Sequence, residues 1–471
     1  MVAEQGIHRQ IAPSLNSLKN GSRMSGDAAS FIHDLTYDDL PPSAVEQGLR
    51  CLLDLSAVAV AGSTTAMSRI ARDHAVENFA GRAHQARLLF DGRTASPVGA
   101  AFAGAATMDS FDGHDGHALT KGHTGAALLP ALLAFADTRA PTDGKTFLTL
   151  LVLGYEIGTR AGIALHASTP DYHSSGAWNA LACAAVGARA LHLTPSQTNH
   201  ALGIAEYHGP RAPMMRCIDH PTMVKDSSAW GALTGVSAAL LAEQDFTGAP
   251  AITVTDDSTR NIWEDLGQRW RINEQYLKPF PVCRWTHPAL QAALDIRGRH
   301  EVPLASIDHL EVATFHAATR LATRHPQTTE EAQYSLPFAV ASALVHGTIT
   351  AAVLAAPHNQ HPEVTRLSEA MVLTEQPDYE ALFPAERHAH IDVVLRSGQR
   401  LPGQPTTAKG GPDNPLTNDE IQAKFLALSE EVLDDQRTQS IKDAIAALPT
   451  ADTSATLLDH LLSPIGPAGG S

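Results

Sequence analysis

The densest run of chemically able side chains is Asp109-Ser-Phe-Asp112-Gly-His114-Asp115-Gly-His117-Ala-Leu-Thr-Lys121-Gly-His123-Thr-Gly. Three Asp, three His and a Lys share this loop, which lies between two small-residue helical stretches. Imidazoles beside carboxylates exchange protons near neutrality, and the glycines let backbone close round a small ligand. A metal centre is the competing reading. Asp112, His114, Asp115 and His117 offer the right donor atoms, but their spacing matches no established ligand motif. An acid–base and anion-binding loop fits better, and a solvated polar loop is the bland alternative.

Three further segments place polar groups just ahead of helices. In Asp171-Tyr172-His173-Ser174-Ser175-Gly176, a serine is expected to cap the following helix, leaving backbone N–H groups for an anion. Residues 211–225 bring Arg216, His220 and Lys225, and Cys283-Arg284-Trp285-Thr286-His287 opens a helix at a change of texture. Taken singly, each is an ordinary surface or capping residue. Together they crowd a domain junction, where ligand pockets concentrate.

The elements that must hold these loops are mostly helical. Patterning between 43 and 248 predicts helices over 44–61, 126–137, 146–166, 176–191, 195–207 and 227–244. The Ala- and Gly-rich stretch over 177–191 reads as buried all round. Near residue 273 the texture changes. Residues 306–317 and 388–396 alternate polar and apolar as half-buried strands do, the second returning through 399–401, with helices over 287–298 and 334–346 between them. Helices return over 417–428, opened by the capping box Thr417-Asn-Asp-Glu420, and over 435–448. The fold class is therefore mainly α with an α+β second domain. A discontinuous helical domain is expected over 26–272 and 410–465 and a smaller α+β domain over 273–409, after a disordered leader over 1–25 and before a frayed tail.

Composition excludes several classes of function. Lys plus Arg number 34 against 50 Asp plus Glu, a net charge of −16, which argues against nucleic-acid or anionic-membrane partners. The 4 cysteines are scattered with no CxxC pair, which excludes a zinc ribbon and argues against an iron–sulfur cluster and a disulfide framework. Residues 1–25 lack the apolar core of a secretory signal, and the apolar run over 147–155 is too short to span a bilayer. A cytoplasmic protein is expected. The 24 histidines are the unusual feature.

The four loop segments, with Glu331-Ala-Gln-Tyr-Ser-Leu-Pro337 and Asp413-Asn-Pro-Leu-Thr417 after them, resemble in order the MmgE/PrpD family of 2-methylcitrate dehydratases, cis-aconitate decarboxylases and iminodisuccinate epimerases. The resemblance runs from about Asp27 to Leu462. It implies a large helical domain with a smaller α+β domain, a homodimer, and cofactor-independent chemistry without a metal at a carbon next to a carboxylate. Matched position by position, it implies catalytic roles for Asp112, His123, His173, Lys225 and His287. Substrate binding is expected at His117, Lys121, Arg284 and Tyr334, with a small anionic carboxylate as the partner. Two departures stand out. Gly116 replaces a threonine of the decarboxylase branch, and Phe338 a tyrosine, with Tyr334 nearby. The expected function is a hydratase or dehydratase acting on a 2-methylcitrate-like polycarboxylate. An epimerase or a decarboxylase using the same proton abstraction is the alternative, and a non-catalytic carboxylate-binding protein the reading from another class.

Overall fold

The computed structural model describes residues 27–139, 142–299, 302–355 and 361–466. The leader expected over 1–25 and nearly all of the tail lie outside the described residues. The chain is mainly helical, with a smaller part built on a mixed sheet. Helices α1 (Ala28–Asp34), α2 (Pro42–Gly62), α3 (Ala66–Asn78), α4 (Pro97–Asp109), α5 (Gly125–Thr138), α6 (Gly144–Ser168), α7 (Gly176–Ala190), α8 (Pro195–His208) and α9 (Ser228–Glu243) make the larger part. Their ends follow local chemistry. Asp143 accepts from the Thr146 N–H at the start of α6, and Thr194 and Gln197 form a capping box at α8.

Small residues set how closely these helices approach. A Cβ on Gly231 of α9 would sit 2.7 Å from the Gly176 Cα, and one on Gly176 would lie 2.3 Å from the Ser227 carbonyl oxygen. α7 and α9 therefore meet backbone to backbone, which only glycine permits. The Gly176 N–H donates to the Asp226 carbonyl at 3.0 Å, so this approach also fixes the turn before α9.

The apolar run over 147–155 belongs to α6, which is long and apolar enough to cross a membrane by length and composition. However, 94% of its most apolar window is buried within the molecule. α6 is a core helix wrapped by neighbouring helices.

The smaller part packs α10 (His287–Arg299), α11 (Leu336–His346) and α12 (Pro362–Glu369) with a five-stranded sheet. A two-stranded ribbon, β1 (Gly116–His117) and β2 (Gln275–Tyr276), precedes the sheet in chain order. The sheet strands are β3 (Ile307–Thr314), β4 (Val372–Glu375), β5 (His388–Leu395), β6 (Arg400–Leu401) and β7 (Thr406–Thr407). β3 lies between parallel β4 and antiparallel β5, in register Glu311↔Val372 and Leu310↔Val393, and β6 and β7 pair with β5. Leu310 and Val312 of β3 and Ala389, Ile391 and Val393 of β5 point inward, which is the alternation seen in the sequence. The pattern does not reveal α12 and β4. β4 is four residues long, mostly exposed and stopped by Pro377, so it carries no inward stripe.

The last helices, α13 (Asn418–Ser429), α14 (Asp435–Ala447) and α15 (Ala455–Leu462), return to the helical part, where Ile421, Phe425, Ile441 and Leu458 join the larger core. The Thr417–Glu420 capping box forms at α13 as expected. The second core takes in Val58, Phe111, Met214 and Cys217 from the helical part, so the two parts are joined by an apolar seam. The β1–β2 ribbon, pairing Gly116 with Tyr276 and His117 with Gln275, draws the polar loop onto that seam.

Candidate active site

The loop between α4 and α5 and the segments just before α7, α9 and α10 converge at the seam. Helix starts carry partial positive charge, so this convergence favours an anion. At its centre the Asp112 carboxylate accepts from the Lys278 ammonium at 2.5 Å, both groups fully enclosed. Burial alone would raise the Asp112 pKa, but Lys278 and Lys225, helped by His114 and His123, outweigh it and hold the carboxyl far below the usual range. Asp112 is thus held as an anion that anchors Lys278.

Gln333 organises the other side. Its Oε1 accepts from the Asp112 backbone N–H at 2.7 Å and from the Lys225 ammonium at 2.9 Å, while its Nε2 donates to the Ser110 carbonyl. Lys225 is 1% exposed, has a left-handed φ of 46°, and lies 4.6 Å over the Tyr334 ring. A buried ammonium held by a neutral amide and an aromatic face keeps its charge available for a ligand. Tyr334 therefore meets Lys225, and both Tyr334 and Phe338 belong to the second core.

His123 is placed as a base. Its Nδ1 lies 2.5 Å from the Asp115 carbonyl oxygen, which can only accept, so Nδ1 carries the proton and Nε2 a lone pair. Burial, then Lys278 and His114, depress its pKa well below the ordinary histidine value, against the opposing pull of Asp112. The ring is therefore neutral. Its Nε2 lies 3.3 Å from Asp226 Oδ2. Burial and the nearby Asp109 and Asp112 carboxylates push Asp226 well above the usual range despite Lys278 and Lys225, which favours its protonated form. A neutral imidazole and a carboxyl biased toward its acid form thus stand side by side. His114 completes the cluster, its ring 4.3 Å from that of His123 and its Nε2 3.6 Å from Asp109 Oδ1.

Several expected site residues fall elsewhere. Consecutive strand residues face opposite ways, so with Gly116 turned to Tyr276 and His123, His117 turns away from them, stays buried and pairs with Glu274 at 2.9 Å. His173 spends its Nδ1–H on the Asp171 carbonyl at 2.9 Å and stacks on His166. Lys121 lies 4.5 Å over the Tyr172 ring, whose hydroxyl donates to the Lys121 carbonyl, so both belong to a neighbouring group rather than the Asp112 cluster. His287 lies beside the cluster, but its Nε2–H is committed to the Val282 carbonyl at 3.1 Å. Burial, Arg284 and Lys278 hold its pKa well below the ordinary histidine value, so it offers a lone pair rather than a positive charge. Ser175 does not cap α7; its hydroxyl accepts from the His123 N–H at 3.1 Å and so positions the base. The four-ligand metal set is not assembled either. Asp112, His114 and His123 have ligand atoms within 4.8 Å of one another, but the Lys278 ammonium occupies Asp112 Oδ1 and its charge repels a second cation.

Lys278, Asp226, Gln333 and Tyr276 are the members that the sequence reading left out, and His114 entered it only as a candidate metal ligand. Lys278 stands alone among apolar residues and prolines in Tyr276-Leu277-Lys278-Pro279-Phe280-Pro281. A lysine in such a run must either reach water or find a buried partner, and that was the available signal.

Behind the site, Lys424 of α13 donates to Asp54 Oδ1 at 2.6 Å, the Gly113 carbonyl at 2.6 Å and the Lys278 carbonyl at 2.8 Å. It clamps together the two segments that carry Asp112 and Lys278. Lys424→Met is expected to cost about 3–5 kcal/mol by leaving the Asp54 charge buried and unpaired. Adding Asp54→Leu should recover most of that stability in denaturant titrations while kcat/KM stays low. Full recovery of kcat/KM in the double variant would show that the clamp acts on stability alone.

Residues 26–260 match the family model for the MmgE/PrpD N-terminal domain, and residues 280–450 that for the C-terminal domain. The chain belongs to the MmgE/PrpD family. Its relatives include a cis-aconitate decarboxylase-like protein of Aspergillus oryzae, 23% identical over 480 residues, covering 92% of this chain and 96% of the relative. The cis-aconitate decarboxylase of Aspergillus terreus is 21% identical over 482 residues, covering 94% and 97%, and the human enzyme of that name 24% over 463, covering 93% and 94%. Lys278 falls between the two MmgE/PrpD matches.

Gly116, the first MmgE/PrpD departure, has a steric explanation. A Cβ here would lie 2.4 Å from the Tyr276 hydroxyl oxygen and 2.8 Å from His123 Nδ1. The Tyr276 phenol fills the space a threonine side chain would take, so a hydroxyl is present from another segment. Gly116→Thr is expected to cost about 1–3 kcal/mol by overpacking and to lower turnover, with partial rescue by Tyr276→Ala. A Gly116→Thr variant of wild-type stability and activity would overturn this account.

Proposed function

We propose that the protein is a lyase acting on a small tricarboxylate, making or breaking a bond at the carbon next to a carboxylate. The observation that carries this reading is the His123–Asp226 pair, an Nε2 lone pair 3.3 Å from a buried carboxyl, set among the buried ammonium groups of Lys278 and Lys225. The lysines hold substrate carboxylates and stabilise the negative charge that builds up when the adjacent carbon loses a proton. His123 Nε2 takes that proton. In the elimination reading, with a 2-methylcitrate-like hydroxy acid, the carbon–oxygen bond then breaks, Asp226 protonates the departing hydroxide, and an alkene and water result. The names of the relatives favour a second reading, decarboxylation of a cis-aconitate-like acid. There the carbon–carbon bond to a carboxylate breaks, carbon dioxide leaves, and the electron pair is quenched by a proton from the same acid.

The test is incubation of the full-length protein with 2-methylcitrate, citrate and cis-aconitate in deuterated buffer, following alkene absorbance, carbon dioxide release and proton NMR. Alkene formation selects the first reading and carbon dioxide the second. Deuterium uptake without either product would replace both with an epimerase, and binding without any exchange with a carboxylate-binding protein.

We also propose the homodimer that the resemblance implies. Ile70, Met223, Val224 and Trp230 are 42–66% exposed and line one apolar groove at α3 and α9. Light scattering is expected to give a dimer mass for the protein and a monomer mass for Trp230→Asp. A monomeric wild type would overturn the proposal.

A further inference from the structure

Tyr276 carries a guanidinium on its ring twice over. The Arg284 Cζ lies 4.7 Å from the ring centroid and the Arg387 Cζ 5.5 Å. Both arginines are more than nine-tenths buried, at 7% and 9% exposure. Arg284 donates to the Lys409 and Ala408 carbonyls at 2.7 and 3.3 Å, and Arg387 Nη2 to the Ala118 carbonyl at 3.2 Å. Among the described residues neither forms an ion pair, and the buried Nε of Arg387 has no hydrogen-bond partner. Burial first, with the Arg387 charge as a further contribution, pushes Arg284 down to about 10.

Two like charges held together out of water, satisfied only by carbonyls and one ring, are costly unless an anion joins them. Opposite charges normally supply that anion from the protein itself, as Glu274 does for Arg271. Here the protein leaves it out. The ring that both arginines contact is also the ring that meets His123 edge-on, with centroids 6.4 Å apart, and packs against Gly116. The guanidiniums are therefore one aromatic ring away from the base. Their origins differ: Arg284 precedes α10, and Arg387 precedes β5 in the smaller part while its bond to Ala118 reaches the polar loop.

We propose that Arg387, together with Arg284, forms a second carboxylate subsite across Tyr276 from His123, selecting substrates that carry a carboxylate remote from the reacting carbon. This rests on the lyase reading and adds to it a division of labour. Lys278 and Lys225 hold the carboxylate beside the reacting carbon, whereas the arginines hold the far end. A planar guanidinium with a free N–H edge suits a carboxylate's two oxygens, which an ammonium cannot match in the same way.

The test is calorimetric titration of the full-length protein with propane-1,2,3-tricarboxylate and with succinate, two unreactive probes that differ in the remote carboxylate. Arg387→Met is expected to weaken tricarboxylate binding at least about tenfold and succinate binding less than about twofold. If Arg387→Met does not fold, as judged by its thermal melt, Arg387→Lys carries the test, keeping the charge but losing the fork, with a smaller loss confined to the tricarboxylate. Unchanged tricarboxylate affinity in the folded variant, equal weakening of both probes, or no tricarboxylate binding by the wild type would each overturn the subsite. The lyase reading is judged separately, by turnover, so its failure and the failure of the subsite are distinguishable.

Discussion

Lys278→Met is expected to lower kcat/KM by about a thousandfold or more, the scale of losing a charge that stabilises a developing anion in a water-poor site. The ammonium is 2.5 Å from Asp112 Oδ1, fully buried, and joined to the Lys424 clamp through its own carbonyl. Removing it also leaves Asp112 without its chief partner, at about 3–5 kcal/mol. The two effects separate in a Lys278→Met, Asp112→Leu pair, in which stability should largely return and turnover should not. A second consequence has a definite sign. Lys278 is the strongest charge depressing His123, so without it the His123 pKa rises and the acid limb of any residual activity moves toward neutrality. Steady-state kinetics across pH would check both. A kcat/KM within a few-fold of wild type would remove Lys278 from the chemistry.

His123→Gln is expected to lower kcat by about 10²–10⁴-fold, the usual contribution of a positioned proton acceptor. Glutamine keeps much of the shape and loses the titratable nitrogen. In the wild type, burial, Lys278 and His114 hold His123 well below 6.5, outweighing the raising effect of Asp112. Its basic form therefore persists in acid. With the substrate's own ionisation corrected for, kcat/KM should stay level from pH 8 to below pH 6.5 before it falls. Asp226 works in the opposite sense: its raised pKa favours the protonated form, and the proton is lost as pH rises through the folded-state value. Asp226→Asn should therefore remove an alkaline limb while leaving the acid limb in place. An acid limb at or above 6.5 in the wild type would contradict the assignment of His123 as the depressed base.

The residues legible in the sequence were those whose type announced them. The helices of 43–248 followed from runs of Ala, Leu and Gly that fit only against other helices, and β3 and β5 from strict alternation. Asp112, His123, Lys225 and Tyr334 do converge, with Arg284 and His287 beside them. Hidden were the members whose role depends on what surrounds them. Asp226 follows Lys225 in a Lys-Asp-Ser-Ser turn that reads as a solvated surface, and only burial beside two other carboxylates makes it an acid. Gln333 carries no charge, yet it joins Asp112 to Lys225. His117, Lys121 and His173 lie outside the Asp112 cluster for the opposite reason. Proximity in sequence to Asp112 or to a helix start says nothing about which side of a two-residue strand or a tight turn a side chain takes.

The Lys424 clamp bears on how the protein is made. Its three bonds close loops of 370, 311 and 146 residues, to Asp54, Gly113 and Lys278. Contacts this distant along a chain form late, because the intervening polymer must first be ordered. A nascent chain that has emerged only as far as β7 holds Asp112, His123, Lys225 and Lys278 but not the residue that ties their segments together. During synthesis the segments carrying Asp112 and Lys278 are thus tied together through Lys424 only after α13 leaves the ribosome and docks on α2.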